Sequence, residues 1–331
     1  MRVLVTGAAG FIGRQLVRNL GDVTVHVLLH PHDDAGAVPA VKSARADVRD
    51  AAAVDAAIRA AGPLDVVFHL AGLVPTPGRR RADYVATNVD GTRHVLRAAA
   101  AAGARHVIHA SSVGAYGVPP HASAAEDTPL APVNAYQDSK AAAERECARF
   151  AAETGLGVTV ARLTPVYGPG DVRGVRLYRD VLAGQVWMIG NGRARSQITY
   201  VDDAVDALVR CGSRPPPSGV DTLIIGTGEV VSVRALVDAI AAAAGVTPRI
   251  RRLPATPFAL ALRLWRASAG RRRPPGLADR LDFFLTERTF DVSRAERVLG
   301  WSARVSLAEG VPRTLAWYRE RGMVPTHLRQ R

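Results

Sequence analysis

Through the first half of the chain, short apolar runs alternate with alanine-rich stretches. Arg2–Thr6, Val23–Leu29, Asp65–Leu70, Arg105–Ala110 and Gly157–Leu163 are mostly continuous in apolar residues, the pattern of strands buried on both faces. Between them, Ile12–Leu20, Ala51–Ala61, Gly91–Ala102 and Ser139–Thr154 read as helices. Strand–helix alternation at this spacing predicts an α/β fold with a doubly wound parallel sheet. The right-handed crossover rule then puts every strand's C-terminal end on one edge, where ligands bind.

Beyond Pro169 the pattern loosens. Proline and glycine gather at 165–170, 215–219 and 274–276, marking loops and domain crossings. We expect a dinucleotide-binding domain over residues 1–168, with later returns near 197–226. Residues 169–331 then form mainly a smaller, irregular substrate-binding domain over the ligand edge. Two late helices start with capping-box spacing, Ser293…Glu296 and Ser306…Glu309.

With 331 residues, 48% of them hydrophobic, the chain can build a sizeable core without disulfides or a structural metal. Its two cysteines, Cys147 and Cys211, give neither a disulfide framework nor a zinc set, and both fit a reducing cytoplasm. No apolar run approaches the roughly 18 residues of a membrane span, and the N-terminus makes a poor secretory signal. The net charge of +13 is scattered apart from short arginine runs. No basic segment with interleaved aromatics accompanies it, so nucleic acid is not an expected partner. More telling is the usage within the basic set: of 43 basic residues only Lys42 and Lys140 are lysines. A lysine kept against such a bias is expected to do what a guanidinium cannot.

The first strand runs into Thr6-Gly7-Ala8-Ala9-Gly10-Phe11-Ile12-Gly13 and then a helix. Glycines there permit a tight turn and let backbone N–H groups and the helix dipole approach a pyrophosphate. The second strand ends Leu28-Leu29-His30, with no acid at its tip to accept from both adenine-ribose hydroxyls, and Asp33 and Asp34 follow too far along. His30, with Arg14 nearby, would suit a 2′-phosphate, which leans the cofactor toward NADP; a solvated loop histidine is the plain alternative. Asp47-Val48 ends a third strand, where Asp47 could accept from the adenine amino group. Ala71 and Gly72 end the fourth strand with the small residues a close-passing cofactor requires. His69 reads as a packed histidine. His106 and His109, three apart on a strand, face opposite ways and cannot chelate a metal together, so none is expected.

Tyr136-Gln-Asp-Ser-Lys140 is the most specific signal. At i and i+4 on a helix, the phenol and the ammonium share one face, and a nearby cation favours the phenolate. Ala110-Ser111-Ser112 ends the fifth strand, where a hydroxyl could polarise a substrate oxygen.

These segments together resemble an extended short-chain dehydrogenase/reductase of the NAD-dependent epimerase/dehydratase superfamily. TGAAGFIG, DVVFHLAG, ASSVGAYG, YQDSK, RLTPVYGPGD, ITYVDDAVDAL, IIGTGE and DVSRAERVLGW stand in family order from Met1 to about Gly322. The resemblance implies an enzyme with Ser112, Tyr136 and Lys140 as the catalytic set. It implies dinucleotide contacts from Gly7, Gly10, Phe11, Ile12, Gly13, His30, Asp47, Val48, Leu70, Ala71, Gly72, Asn88, Ala110, Ser111 and Val166, besides Tyr136 and Lys140. A homodimer through the Tyr136 helix is a further family-level expectation. The family's Arg-Pro after the sixth strand is here Arg162-Leu163.

Within the family, dehydratases resemble one another in acids after the catalytic hydroxyl, where this chain has Val113 and Gly114. By the same resemblance, nucleotide-sugar epimerases carry an asparagine and an arginine on the sugar-linked diphosphate, where this chain has Pro165 and Ser196, with Arg195 one residue away, so the clamp is incomplete. The remaining pattern is similar to the 3β-hydroxysteroid dehydrogenase-like and ketoreductase branch. The expected activity is therefore interconversion of a secondary alcohol and a ketone on a bulky, largely apolar small molecule, with NAD(P). The alternatives are a nucleotide-sugar epimerase with tightly held NAD and a dinucleotide sensor without chemistry. Residues 257–276 alternate apolar and basic positions at helical spacing. They read as a lid, as a helix on anionic lipid, or as an ordinary amphipathic helix with snorkelling arginines.

Overall fold

The alternation of side chains along the first strand already divides the core in two. In β1 (Arg2–Thr6), Val3 and Val5 face one way and Leu4 the other, and all three are buried. The computed structural model describes residues 1–325 except 35, 37, 39–41, 119–122, 217–218, 270–280 and 282–283, and only the backbone at 265–269. Its central sheet is parallel and seven-stranded, in the order β11-β6-β5-β4-β1-β2-β3. The strands are β2 (Thr24–Leu29), β3 (Lys42–Arg45), β4 (Val66–His69), β5 (His106–Ser112), β6 (Gly157–Leu163) and β11 (Val220–Ile225), with β1 near the centre.

On the Val3/Val5 face lie α1 (Phe11–Asn19) and α7 (Val201–Gly212), packed through Leu16, Leu20, Ala204 and Leu208. On the Leu4 face lie α2 (Ala51–Ala61), α4 (Gly91–Ala101) and α5 (Ala135–Thr154), packed through Val54, Ile58, Leu96, Cys147 and Phe150. The chain order reverses between β1, which is followed by β2 on one side, and β4 on the other. A crevice opens there at the strands' C-terminal ends.

Three expectations need correction. Helix α5 starts at Ala135 rather than Ser139, because Asn134 caps it: its Oδ1 accepts from the Gln137 N–H at 2.9 Å. The third strand stops at Arg45, so Asp47 and Val48 lie in the loop that follows it. The Ser306…Glu309 capping box forms at α11 (Leu307–Glu320), but the Ser293…Glu296 box does not. At α10 (Ser293–Leu299), the Ser293 N–H goes instead to Asp291 Oδ1 at 2.9 Å and the Ser293 hydroxyl accepts from Arg297.

The second half builds its own core from α6 (Val175–Leu182), β8 (Gln185–Ile189), α8 (Val233–Ala244) and α11, around Val181, Met188, Val237, Ile240 and Leu315. Short strand pairs stitch it together: β7 (Val166–Tyr167) with β10 (Thr199–Tyr200), β9 (Arg195–Ser196) with β12 (Val231–Ser232), and β8 with β13 (Arg249–Leu253). Three parts of this half return to the first core: α7, the edge strand β11, and Ala295, Leu299 and Trp301 on and after α10. Helix α9 (Ala255–Ala269) exposes Leu260 and Leu264, one turn apart, and buries Leu262. The rest of the 257–276 segment, from 270 onward, lies outside the described residues. No described helix is long and apolar enough to cross a membrane.

Candidate active site

At the β1–α1 turn, Gly7 has φ +68°, and a Cβ there would lie 2.6 Å from the Ala71 nitrogen. Gly13 meets the same turn from the helix side, where a Cβ would fall 2.1 Å from the Gly7 carbonyl oxygen. Both glycines thus let β1, α1 and the end of β4 close on one another. Gly10 caps α1 without a side-chain hydrogen bond, and no acid stands in the first turn, which suits an anion at this helix start beside Phe11 and Ile12.

Farther along the crevice, His69 joins β4 to its neighbours. Its Nδ1 lies 2.8 Å from Thr6 Oγ1 and its Nε2 3.0 Å from Thr92 Oγ1. Thr92 donates to the Asn88 carbonyl, so the proton sits on Nε2, and Thr6 donates to Nδ1 while accepting from the Ala71 N–H. Burial brings the His69 pKa down to about 3, and the ring stays neutral. It is a structural link, as its packed reading anticipates. His109 is also buried, its ring 5.4 Å from that of His69, and neither ring nitrogen has a hydrogen-bond partner. His106 faces away, to Thr159. Among the described residues no cluster could hold a metal ion.

The helix leading to Asn88 begins as α3 (Arg81–Tyr84) and widens into a π-helical turn over Val85–Asp90 before α4. That turn directs the Asn88 amide at two elements. Its Oδ1 accepts from the Leu73 N–H at 2.7 Å, and its two donors go to the Leu73 carbonyl and to Ser139 Oγ. Ser139 in turn donates to the Tyr136 carbonyl. Asn88 therefore reaches the crevice through the segments it fixes.

Tyr136 and Lys140 lie one turn apart on α5, as their spacing predicts. The Tyr136 ring and the Ser112 hydroxyl meet beside Gly114 at the end of β5, where a Cβ would stand 3.6 Å from Tyr136 Cε1 and 3.1 Å from Ser112 Oγ, and Tyr84 packs edge-on against the Tyr136 ring. Burial pushes the phenol's pKa up, opposed by Ser112 and by the charge of Arg173. Arg173, from the loop after Asp171 and paired with that carboxylate, adds a positive charge near the phenol, and Lys140 stands one turn along the helix. Lys140 is buried, donates to the Ala110 carbonyl at 2.7 Å, and has its pKa brought down by burial to about 8. A Cβ on Gly72 would stand 3.5 Å from its Nζ and 3.2 Å from Asn88 Oδ1, so glycine keeps that wall open. Leu70, Ala71 and Ala110 are half-buried along the same edge, and Val166 is buried in β7.

Other expected contacts point elsewhere. The Ser111 hydroxyl donates to the buried Glu144 carboxylate. Val48 is buried against Gly91, with its carbonyl hydrogen-bonded to His94. Asp47 is gripped by Arg49 at 2.5 Å, which with other contacts holds its pKa down to about 2, and His30 Nε2 lies 3.4 Å away. Asp33 turns its carboxylate back to accept from the His30 N–H at 2.8 Å. Arg45 closes this turn onto the carbonyls of His30, Pro31 and Asp33. Arg173 has no local signal in the sequence and is brought in by tertiary packing; Glu144 follows Lys140 by one turn on α5, but its partner Arg162 comes to it only through the fold.

On the second-half side, Pro165 is exposed. Ser196 shares a shallow apolar depression with Ala194, Ile198, Val231 and Leu236. Arg195 turns to Glu287 at 2.6 Å and lines a separate cavity of about 340 Å³ with Ser123, Gln197 and Phe290.

A model of the NAD-dependent epimerase/dehydratase family matches residues 3–222. A UDP-glucose 4-epimerase of Mycolicibacterium smegmatis is 34% identical, over 97% of this chain and 99% of its own length. A 3β-hydroxysteroid-dehydrogenase/decarboxylase of Arabidopsis thaliana is 28% identical over 94% of this chain and 78% of its own. The structure of MoeE5 in complex with UDP-glucuronic acid and NAD aligns with a TM-score of 0.75 and 30% identity, covering 97% of this chain and 100% of that one.

Proposed function

The chain belongs to the NAD-dependent epimerase/dehydratase family, and from that premise we propose that it interconverts a secondary alcohol and a ketone with Tyr136 as the proton-transferring group. Its relatives are enzymes, which sets aside the reading as a sensor without chemistry. The observation that carries the proposal is the meeting of the Ser112 hydroxyl and the Tyr136 ring beside Gly114 at the end of β5, with the buried Lys140 one helical turn along α5.

The crevice fits a dinucleotide: Gly7, Gly10, Phe11, Ile12 and Gly13 would hold its pyrophosphate, and Ala71, Gly72, Ala110, Lys140 and Val166 its nicotinamide half. When bound, the nicotinamide supplies or takes up the hydride. In the reducing direction Ser112 holds the carbonyl oxygen and Tyr136 gives it a proton. A phenol whose pKa burial pushes up keeps that proton at neutral pH until the oxygen becomes basic. In the oxidising direction the phenol must first lose its proton so that the phenolate can take the alcohol's proton, and Lys140, one turn along α5, is the ammonium whose charge would favour that phenolate.

For the substrate we infer a bulky, largely apolar molecule. Pro165 offers no amide, and the side chain at 196 is a serine among apolar neighbours, so the two diphosphate ligands of a nucleotide-sugar epimerase are missing at those positions. A second reading, a nucleotide-sugar epimerase with retained NAD, is favoured by the 34% identity to the Mycolicibacterium enzyme. The NADP preference is likewise a proposal, resting on Leu29 and His30; the solved relative holds NAD. Homodimerisation and a cytoplasmic location are proposals from the family resemblance and the two free thiols.

Denaturing the purified protein and identifying any released nucleotide tests the choice. We expect an empty protein that binds NADPH and oxidises it in the presence of a hydrophobic ketone. Stoichiometric released NAD, with UDP-sugar epimerisation and no net change in nicotinamide absorbance, would replace the first reading by the second.

A further inference from the structure

Glu144 continues the row that begins with Tyr136 and Lys140, at i, i+4 and i+8 on one face of α5. Its side chain is 8% exposed and faces Arg162 of β6, itself 8% exposed. Arg162 Nη2 donates to Oε2 at 2.7 Å, and its Nε reaches both carboxylate oxygens at 3.1 and 3.2 Å. Ser111, the chain neighbour of Ser112, donates to Oε1. Arg162 also extends outward: Nη1 donates to the Tyr116 hydroxyl at 2.5 Å and to the Glu126 carbonyl at 2.9 Å. One carboxylate thus ties α5, the tip of β5 and β6, and its partner carries the tie to the loop after Ser112.

A buried arginine–glutamate pair is costly to desolvate and often no more stabilising than apolar residues of the same size. Its position beside the reacting groups suggests another use. We propose that Glu144, balanced by Arg162, is a positioning residue that keeps Lys140 charged and holds the Ser112 end of β5 against the Tyr136 helix. The inference rests on the proposed roles of Ser112, Tyr136 and Lys140.

The surroundings of Lys140 leave Glu144 this task. From α5 it faces Tyr136, Glu144 and Cys147, from β4 His69, and from β5 His109 and the Ala110 carbonyl. Both histidines are held neutral by burial, and burial also pushes the Cys147 thiol up, so it stays protonated. Of the groups that favour the ammonium, Glu144 acts most strongly. Arg162 takes part of that carboxylate's field, so the two residues act on Lys140 with opposite sign.

Because the chain has only two lysines, protein labelled with 13C/15N-lysine gives one resonance set for Lys140 and one for Lys42, which serves as reference. We expect Glu144→Gln, which keeps the side chain's shape, to move the Lys140 titration midpoint down by about one pH unit or more. Arg162→Gln should move it up, and Arg162→Lys should leave it near the wild-type position. Opposite shifts cannot arise from general loosening of the fold. An unmoved Lys140 midpoint in folded Glu144→Gln protein would overturn the proposal, as would shifts of one sign in both glutamine variants. Should Arg162→Gln not fold, the Glu144→Gln titration alone decides. None of these readings needs turnover, so failure of the proposed reaction shows separately, as activity retained in Tyr136→Phe.

Discussion

At the Lys140 end of the crevice, Asn88, Ser139, Ser111 and Glu144 are buried and bonded between elements far apart in the chain. At the other end, His30 and Arg49 have side chains 43% and 54% exposed, and the Asp47–Arg49 pair spans two residues. The first end is held by packing that one substitution can unbalance by several kcal/mol. The second is held by surface pairs, each of order 1 kcal/mol or less. On the proposed roles, groups that would hold a reacting geometry lie in the first setting, and groups that would choose between similar dinucleotides in the second. Specificity can then drift without disturbing the reaction.

The largest effect should come from Tyr136→Phe. Removing the proton donor should cut turnover about a thousandfold while cofactor affinity, followed by fluorescence titration, stays within a few-fold. Wild-type turnover would remove the reacting role from the buried end. Lys140→Arg comes next: the charge remains, but the planar fork does not fit between Ala110 and Gly72, and a loss of about a hundredfold in kcat is expected. Equal rates in the two proteins would show that the scarce lysine has no special use.

Stability should follow pH through the buried histidines of the sheet. His69, His106 and His109 have pKa values lowered by burial, His69 to about 3 and His106 to about 4. The unfolded chain takes up these protons near pH 6.5 and the folded chain does not. Their neutral burial is therefore free of penalty above pH 6.5, and stability is lost as the pH falls below it. The loss is about 1.4 kcal/mol per pH unit per histidine until the folded pKa is reached. Urea midpoints at pH 7 and pH 5 check this, and His109→Phe should flatten the slope; an unchanged slope would mean His109 is not buried neutral. The smallest effect belongs to the exposed end. His30→Ala should change the ratio of NADPH to NADH affinity by about threefold to tenfold toward NADH, leaving kcat alone. A fall in kcat would erase the distinction between the two ends.

The parallel sheet and the Tyr136–Lys140 pair were legible because both depend on local periodicity: buried strands read as apolar runs, and i,i+4 spacing fixes a shared face. The start of α5 lies four residues before the sequence expectation because the capping role of Asn134 depends on its extended backbone conformation, which no local pattern marks. The turn that brings Asp33 back to the His30 N–H is hidden for a similar reason, since Arg45 from the neighbouring strand closes it. In the sequence Arg162 stands out only as half of a departed dipeptide. Its partners, Glu144, Tyr116 and Glu126, lie 18 to 46 residues away, and no pattern along the chain joins them. Arg173 likewise reaches the phenol only through the fold.

The π-helical turn at Val85–Asp90 has one more consequence. Its closing bond runs from the Gly91 N–H to the Ala86 carbonyl, five residues back, so the helix stores one residue beyond what α-helical winding needs. One residue is about 100° of rotation. Tyr84 before the turn can therefore lean on the Tyr136 ring, while Asn88 within it addresses Leu73 and Ser139 and α4 still packs on α2. The turn works as a phase shifter between two gears: a deletion of a single residue here would leave both helices intact in length and composition, yet set every side chain after it out of mesh with the sheet or every one before it out of mesh with the crevice.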